Sequence, residues 1–209
     1  MPELLTPFWL IGVVGLAAYL LGSVPFGVVV ARVMGLGDLR QIGSGNIGAT
    51  NVMRTGNKLA GFLTFALDAA KGGVAALLAW VWIGEDAAQV AALAAFLGHL
   101  YPVYLGFKGG KGVATFIGTA LALAWPVGLA ICATWALVFA ASRISSLSAL
   151  VATVLAPVMA WAFGIGPWNL ETMSMTALFV VLGVMIFWKH ADNIRRLIAG
   201  TEPRFTRKG

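Results

Sequence analysis

Charge is scarce in this chain of 209 residues: 11% are Asp, Glu, Lys or Arg, while 60% are hydrophobic. Soluble domains carry about 25% charged residues, so an ordinary water-soluble fold is excluded. Cysteine is nearly absent, and Cys132 alone supports neither a disulfide framework nor a Cys-rich metal site. Histidine occurs twice, at His99 and His190, with no His-Glu-x-x-His pattern. That excludes a zincin, and two histidines among scattered carboxylates make a poor metal set. Fourteen basic residues against eight acidic ones give a net charge of +6. Long uncharged stretches interrupt the basic residues, so the excess does not form a nucleic-acid surface. What the chain has in quantity is apolar runs and 26 glycines.

Crossing about 30 Å of hydrocarbon takes roughly 20 apolar residues at 1.5 Å each. Uncharged runs of that order are Leu4–Ala31, Ala87–Phe107, Gly112–Ser142 and Ile144–Leu170, with a shorter one at Thr172–Trp188. Another apolar segment, between Leu59 and Gly84, carries Asp68 and Lys71. No basic residue precedes the first run, so a cleavable signal peptide is not expected and the run stays as the first helix. The run Gly112–Ser142 is either one very long helix or two short ones turning near Ala124–Val127, where Pro126 sits. Charge parity favours two. Seven spans place residues 32–58, 107–112, 142–145 and 189–209 on one side, and these hold 13 of the 14 basic residues. The opposite loops hold Glu3, Glu85, Asp86 and Glu171. By the positive-inside rule the fold expected is an all-α, polytopic membrane protein of seven transmembrane helices, its N-terminus out and its C-terminus cytoplasmic. Residues 1–209 are expected to form one membrane-embedded domain.

The glycines fall into two populations. Gly12, Gly15, Gly22 and Gly183 lie in apolar helices, where small residues let neighbouring backbones approach. The rest of interest sit in two polar loops on the basic side, Gly43–Asn51 (GSGNIGATN) and Phe107–Thr115 (FKGGKGVAT). In the second, glycines can turn successive N–H groups toward one point, and a helix starting at about Gly112 adds its positive end. With Lys108 and Lys111 alongside, that suits a phosphate. It is not a nucleotide P-loop, because Gly112 follows Lys111 where Ser or Thr is required and no strand precedes it. In the first loop Ser44, Asn46, Thr50, Asn51 and Arg54, flanked by Arg40, offer the groups that bind a small polyol phosphate.

Asp68 and Lys71, three residues apart, share a helical face deep in a span. Either they form a buried ion pair that orients the helix, or one of them reaches the site. His99, in Gly98-His99-Leu100-Tyr101-Pro102, reads as a hydrogen-bonded structural residue. His190 opens a basic tail with Lys189, Asp192, Asn193, Arg195 and Arg196. In a continuing helix His190 and Asn193 share a face, while Asp192 points away, which argues against a His190–Asp192 base pair. Ser145, Ser146 and Ser148 lack the G-x-S-x-G elbow and read as hydrogen-bonding groups rather than nucleophiles.

These motifs, from Gly22-Ser23-Val24-Pro25-Phe26-Gly27 through Asp68–Lys71-Gly72 and Lys189-His190-Ala191-Asp192-Asn193-Ile194 to Gly200-Thr201-Glu202-Pro203-Arg204-Phe205, occur in one order over nearly the whole chain. In them the chain closely resembles the bacterial acyl-phosphate-dependent glycerol-3-phosphate 1-acyltransferases, the PlsY family. The resemblance implies an enzyme of the bacterial inner membrane that moves a fatty acyl group from acyl-phosphate to the 1-hydroxyl of glycerol 3-phosphate. The products would be lysophosphatidic acid and phosphate, at the first acylation of phospholipid synthesis, with the active site facing the cytoplasm. It implies that Gly109, Gly110, Lys111, Gly112, Val113, Ala114 and Thr115 hold the donor's phosphate. Ser44, Arg54, Lys111, Ser146, His190 and Asn193 would hold glycerol 3-phosphate, with Ser44, Arg54, Lys111, His190 and Asn193 catalytic. No cofactor, metal or obligatory protein partner is implied; the partners are the two substrates and the bilayer. A transporter for a small phosphorylated solute is the alternative. Such transporters usually show paired repeats and a midplane site, and here Gly48-Ala49-Thr50 and Val113-Ala114-Thr115 are only a faint echo.

Overall fold

The computed structural model describes residues 5–164 and 172–205. The end of the Ile144–Leu170 run, together with Glu3 and Glu171, lies outside the described residues. Within them the chain is all-helical, and it divides into two compact units, Met1–Leu123 and Ala124–Gly209.

The first unit contains α1 (Phe8–Ser23), α2 (Phe26–Val33), α3 (Ala49–Met53), α4 (Lys58–Trp82), α5 (Glu85–Leu100) and α6 (Val113–Leu123). Helix α5 packs on α1 and α4, and α6 packs on α4. These contacts are close because the residues between them are small. An added Cβ would strike the Ala95 backbone from Gly22, the Tyr19 and Ser23 backbone from Gly98, and the Ala69 backbone from Gly118. Gly12, by contrast, has nothing within 4 Å, so the packing role expected of it is corrected: it makes no close approach. Pro25 removes an N–H and fixes its own φ, and the first apolar run is accordingly broken between α1 and α2 at Val24-Pro25. At the other end of α1, Thr6 donates from its N–H and its hydroxyl to the Asp86 carboxylate at the start of α5, both at 2.8 Å. Asn57 caps α4 by accepting from Ala60 N–H.

The second unit contains α7 (Trp125–Ser142), α8 (Ser145–Gly164), α9 (Thr172–Lys189) and α10 (Ala191–Ile198), with α8 packed on α7 and on α9. Arg143 ends α7 in the left-handed conformation, and its carbonyl accepts from Phe205 N–H at 2.9 Å. Phe205 also meets the Phe139 ring edge-on at 5.5 Å, which anchors the C-terminal segment.

The run Gly112–Ser142 is two helices, broken at Ala124 with Pro126 in the first turn of α7. Among the described residues five helical segments are long and apolar enough to cross a membrane: Phe8–Val33, Lys58–Trp82, Glu85–Leu105, Trp125–Ser142 and Ser145–Gly164. The pair Met175–Lys189 and Ala191–Ile198, bent by 65°, makes a sixth if taken as one span. Helix α6 has 11 residues, or about 16 Å at the helical rise, against about 30 Å of hydrocarbon. Its side chains from Thr115 to Ala120 are nonetheless buried, so a match to bilayer thickness matters less for α6 than for a lipid-facing helix. Trp9, Trp82, Trp125 and Trp188, at or near helix ends, are exposed, as expected of aromatic residues at membrane interfaces.

Candidate active site

In the first unit, the loop Gly43–Asn51 is held from inside by Asn51, which is buried. Its Oδ1 accepts from the N–H and the hydroxyl of Ser44, at 3.0 and 3.3 Å, and its Nδ2 donates to Leu39 O at 2.9 Å. Both ends of that amide are therefore used in shaping the loop. Asn46 Oδ1 accepts from Gly48 N–H at 3.0 Å, just before α3. A Cβ at Gly43 would meet Arg54 Cδ and Asn51 Oδ1, each at 2.6 Å. Its absence makes room for the Arg54 side chain against Gly43, and the next residue, Ser44, is exposed. Beneath them Val30, Ala31, Leu39, Val52 and Ala60 form an apolar cluster. Of the polar residues singled out in this loop, Asn51 and Asn46 thus serve the loop's own shape.

The second loop enters α6 through Gly112, whose φ of +88° favours glycine; a side chain there would also strike the Phe96 ring. Two of its amides are already engaged. Gly109 N–H donates to Leu100 O at 3.2 Å and Gly110 N–H to His99 O at 3.0 Å. This narrows the expectation that successive glycine N–H groups converge on an anion. The first-turn amides of α6, Val113 to Thr115, have no helical acceptor, because the first bond into the helix runs from Phe116 N–H to Gly112 O at 2.8 Å. Lys111 is half-buried beside them, and Lys108 is exposed.

Behind this loop lie three buried ionisable side chains. Asp68 Oδ1 is 2.8 Å from Lys71 Nζ, so of the two alternatives their shared face left open the ion pair is formed. The same oxygen is 3.6 Å from His99 Nδ1. Lys71 Nζ donates to Val24 O at 2.8 Å, a carbonyl at the α1–α2 break, and lies over the Phe26 ring. Thr115 Oγ1 donates to Asp68 O at 3.0 Å. The involvement of His99 was not foreseen. A usable signal was present: it is a polar residue ten positions before Gly109 in a chain with two buried charges.

In the second unit the helix breaks at His190, which caps α10 rather than continuing α9. His190 is buried, and its Nδ1–H donates to Ile186 O at 2.8 Å, so in the neutral ring Nε2 is the acceptor nitrogen. Asp192 is exposed and pairs with Arg195 at 3.1 Å, in keeping with its expected lack of coupling to His190. Ser148 donates back to Ile144 O at 2.8 Å. Ser146 and Asn193 are joined through Glu202, a residue given no role by sequence reasoning. Glu202 Oε1 accepts from Ser146 Oγ at 2.7 Å and from Asn193 Nδ2, and Oε2 accepts from Arg196 Nε at 2.7 Å. Burial pushes this carboxyl up, but the three hydrogen bonds and the guanidinium charge outweigh it and hold it below the usual glutamate range. The link across nine residues and a helix end has no periodicity, which is why spacing did not reveal it. Among the described residues no three His, Cys, Asp or Glu side chains gather as a metal-binding group.

Apolar helices of spanning length and two glycine-rich polar loops define an all-helical integral membrane protein. The chain belongs to the glycerol-3-phosphate acyltransferase family, whose model matches residues 12–200, and it is therefore a glycerol-3-phosphate acyltransferase. It is 58% identical over 203 residues to the glycerol-3-phosphate acyltransferase of Jannaschia sp. (strain CCS1), covering 97% of each chain. It is 56% identical over 208 residues to that of Dinoroseobacter shibae (strain DSM 16493 / NCIMB 14021 / DFL 12), covering 100% of this chain and 99% of the relative. Two crystal structures of PlsY (YgiH), an integral membrane glycerol 3-phosphate acyltransferase, have the same fold. The glycerol 3-phosphate form has a TM-score of 0.87 at 40% identity, covering 94% of this chain and 96% of that one. The lysophosphatidic acid form has a TM-score of 0.83 at 38% identity, covering 94% and 95%.

Proposed function

We propose that this enzyme transfers a fatty acyl group from acyl-phosphate to the 1-hydroxyl of glycerol 3-phosphate, releasing lysophosphatidic acid and phosphate. The observation that carries this reading is the likeness, over 94% of the chain, to an acyltransferase solved in its glycerol 3-phosphate form. Acyl-phosphate is a mixed anhydride with phosphate as a good leaving group, so no enzyme nucleophile is needed. The hydroxyl oxygen attacks the acyl carbon, the bond from that carbon to the phosphate oxygen breaks, and the departing phosphate takes the hydroxyl proton. The protein's share is orientation and charge stabilisation. Residues Gly109 to Thr115 hold the donor's phosphate, with Lys111 and the first-turn amides of α6 facing its charge.

Ser44, Arg54, Lys111, Ser146, His190 and Asn193 hold the acceptor in this proposal. Arg54 and Lys111 supply the positive charge that a phosphate needs. Ser146 and Asn193 share the Glu202 carboxylate, whose negative charge disfavours a second anion, so they suit the uncharged glycerol hydroxyls. The chain acts as one acyltransferase domain of a bacterial inner membrane, with seven crossings, the N-terminus out, and the basic loops and substrate-binding residues on the cytoplasmic side.

Purified protein in detergent, given a long-chain acyl-phosphate and glycerol 3-phosphate, should release phosphate and form lysophosphatidic acid. Folded protein that releases neither would sink the proposal. Equal turnover with acyl-coenzyme A would overturn the donor assignment alone.

A further inference from the structure

We infer that the buried Asp68–Lys71–His99 group positions the loop Gly109–Thr115, with His99 as its positioning residue; this rests on the assignment of that loop to the donor's phosphate. Three ties connect group and loop. The His99 and Leu100 carbonyls take the amides of Gly110 and Gly109 at 3.0 and 3.2 Å. The His99 imidazole fills the space a side chain at residue 110 would need, since a Cβ there would strike Nε2, Cε1 and Cδ2. At the far end Thr115 Oγ1 is fastened to Asp68 O at 3.0 Å. Helices α4 and α5 thus grip both ends of the seven-residue segment.

The ring must itself be held for this to work. Asp68 Oδ1 faces His99 Nδ1 at 3.6 Å, Lys71 holds Asp68 at 2.8 Å, and Val24 O holds Lys71 at 2.8 Å. All three side chains are at most 5% exposed. Ionisable groups inside a membrane protein are costly and need a return beyond packing. A fixed imidazole under Gly110 provides one. It sets the loop backbone at Gly110, alongside the His99 and Leu100 carbonyls that engage two of the loop's amides, and leaves the α6 first turn as the donor-facing edge.

Steady-state kinetics on the full chain in detergent test this, with each substrate varied at saturation of the other. His99→Ala should raise KM for acyl-phosphate about tenfold while KM for glycerol 3-phosphate stays within about twofold. His99→Asn, which keeps an N–H toward Asp68, should restore most of the donor affinity. Gly110→Ala should also raise the donor KM, and His99→Ala/Gly110→Ala should be no worse than His99→Ala, because the methyl enters the space the ring vacates. If His99→Ala does not fold, His99→Asn with Gly110→Ala gives the same cycle. A lower Tm and kcat with both KM values unchanged would show a purely structural role and overturn the inference, as would effects of residues 99 and 110 that multiply. Lys111→Ala separates the two levels. A donor KM unchanged by Lys111→Ala refutes the donor-loop assignment and the inference with it. A donor KM raised by Lys111→Ala but not by His99→Ala refutes the inference alone.

Discussion

Glu202 gathers donors from three places in the second unit: the start of α8, the first turn of α10 and the last turn of α10. Its native value lies below the ordinary glutamate value of 4.5. A carboxyl of that kind contributes its stabilisation in full above the ordinary value and loses it as pH falls through the lower native one. The Tm difference between wild type and Glu202→Gln should therefore be largest near neutral pH and shrink as pH drops below 4.5; a gap independent of pH would mean that the charge of Glu202 is not what binds Ser146, Asn193 and Arg196.

His190 and Arg54 make separable predictions. With the departing phosphate taking the proton, His190→Ala should weaken glycerol 3-phosphate binding and spare donor binding. Retained acceptor binding with selective loss of the chemical step would instead make His190 the base. Arg54→Lys keeps the charge but loses the two-pronged contact, so it should raise KM for glycerol 3-phosphate about tenfold, with the donor KM little changed.

At the level of elements, the contrast between helix glycines is the sharpest. Gly118 lies against the Ala69 backbone where α6 meets α4, whereas Gly12 has nothing within 4 Å. Gly118→Ala must push two helices apart and should cost about 1–3 kcal/mol. Gly12→Ala should be neutral or stabilise by up to about 1 kcal/mol through helix propensity. Thermal unfolding in detergent reads both, and similar Tm shifts for the two would contradict the packing. Such differences are not legible in sequence, because an apolar helix shows which residues are small but not which face meets a neighbour. The same limit hid the partners of His99. What was legible followed from local rules: Pro126 marked the break between α6 and α7, and the three-residue spacing of Asp68 and Lys71 placed them on one face. Pro25 obeyed the same rule, and its break in the first apolar run was not foreseen.

For the whole molecule, composition was enough to indicate a helical membrane protein, because an apolar chain has few ways to satisfy its backbone in lipid, and the acyltransferase activity was legible only through the resemblance of its ordered motifs to a known family. The number of crossings was harder to read. Parity depends on α6, whose 11 residues fall short of the bilayer. If α6 crosses, Lys108 before it and Arg143 after α7 lie on the same side; if it does not, Arg143 lies opposite Lys108. The proposed seven-crossing arrangement takes the first, because the positive-inside rule favours Arg143 and the basic C-terminal segment on the same side as Lys108. Single cysteines at Glu85, Lys108 and Arg143, in a Cys132→Ser background, can be probed with a membrane-impermeant maleimide. In intact spheroplasts Glu85→Cys should label, while Lys108→Cys and Arg143→Cys should label only after permeabilisation. Labelling of Arg143→Cys from outside, with Lys108→Cys still protected, would remove α6 as a crossing and the seven-span arrangement with it.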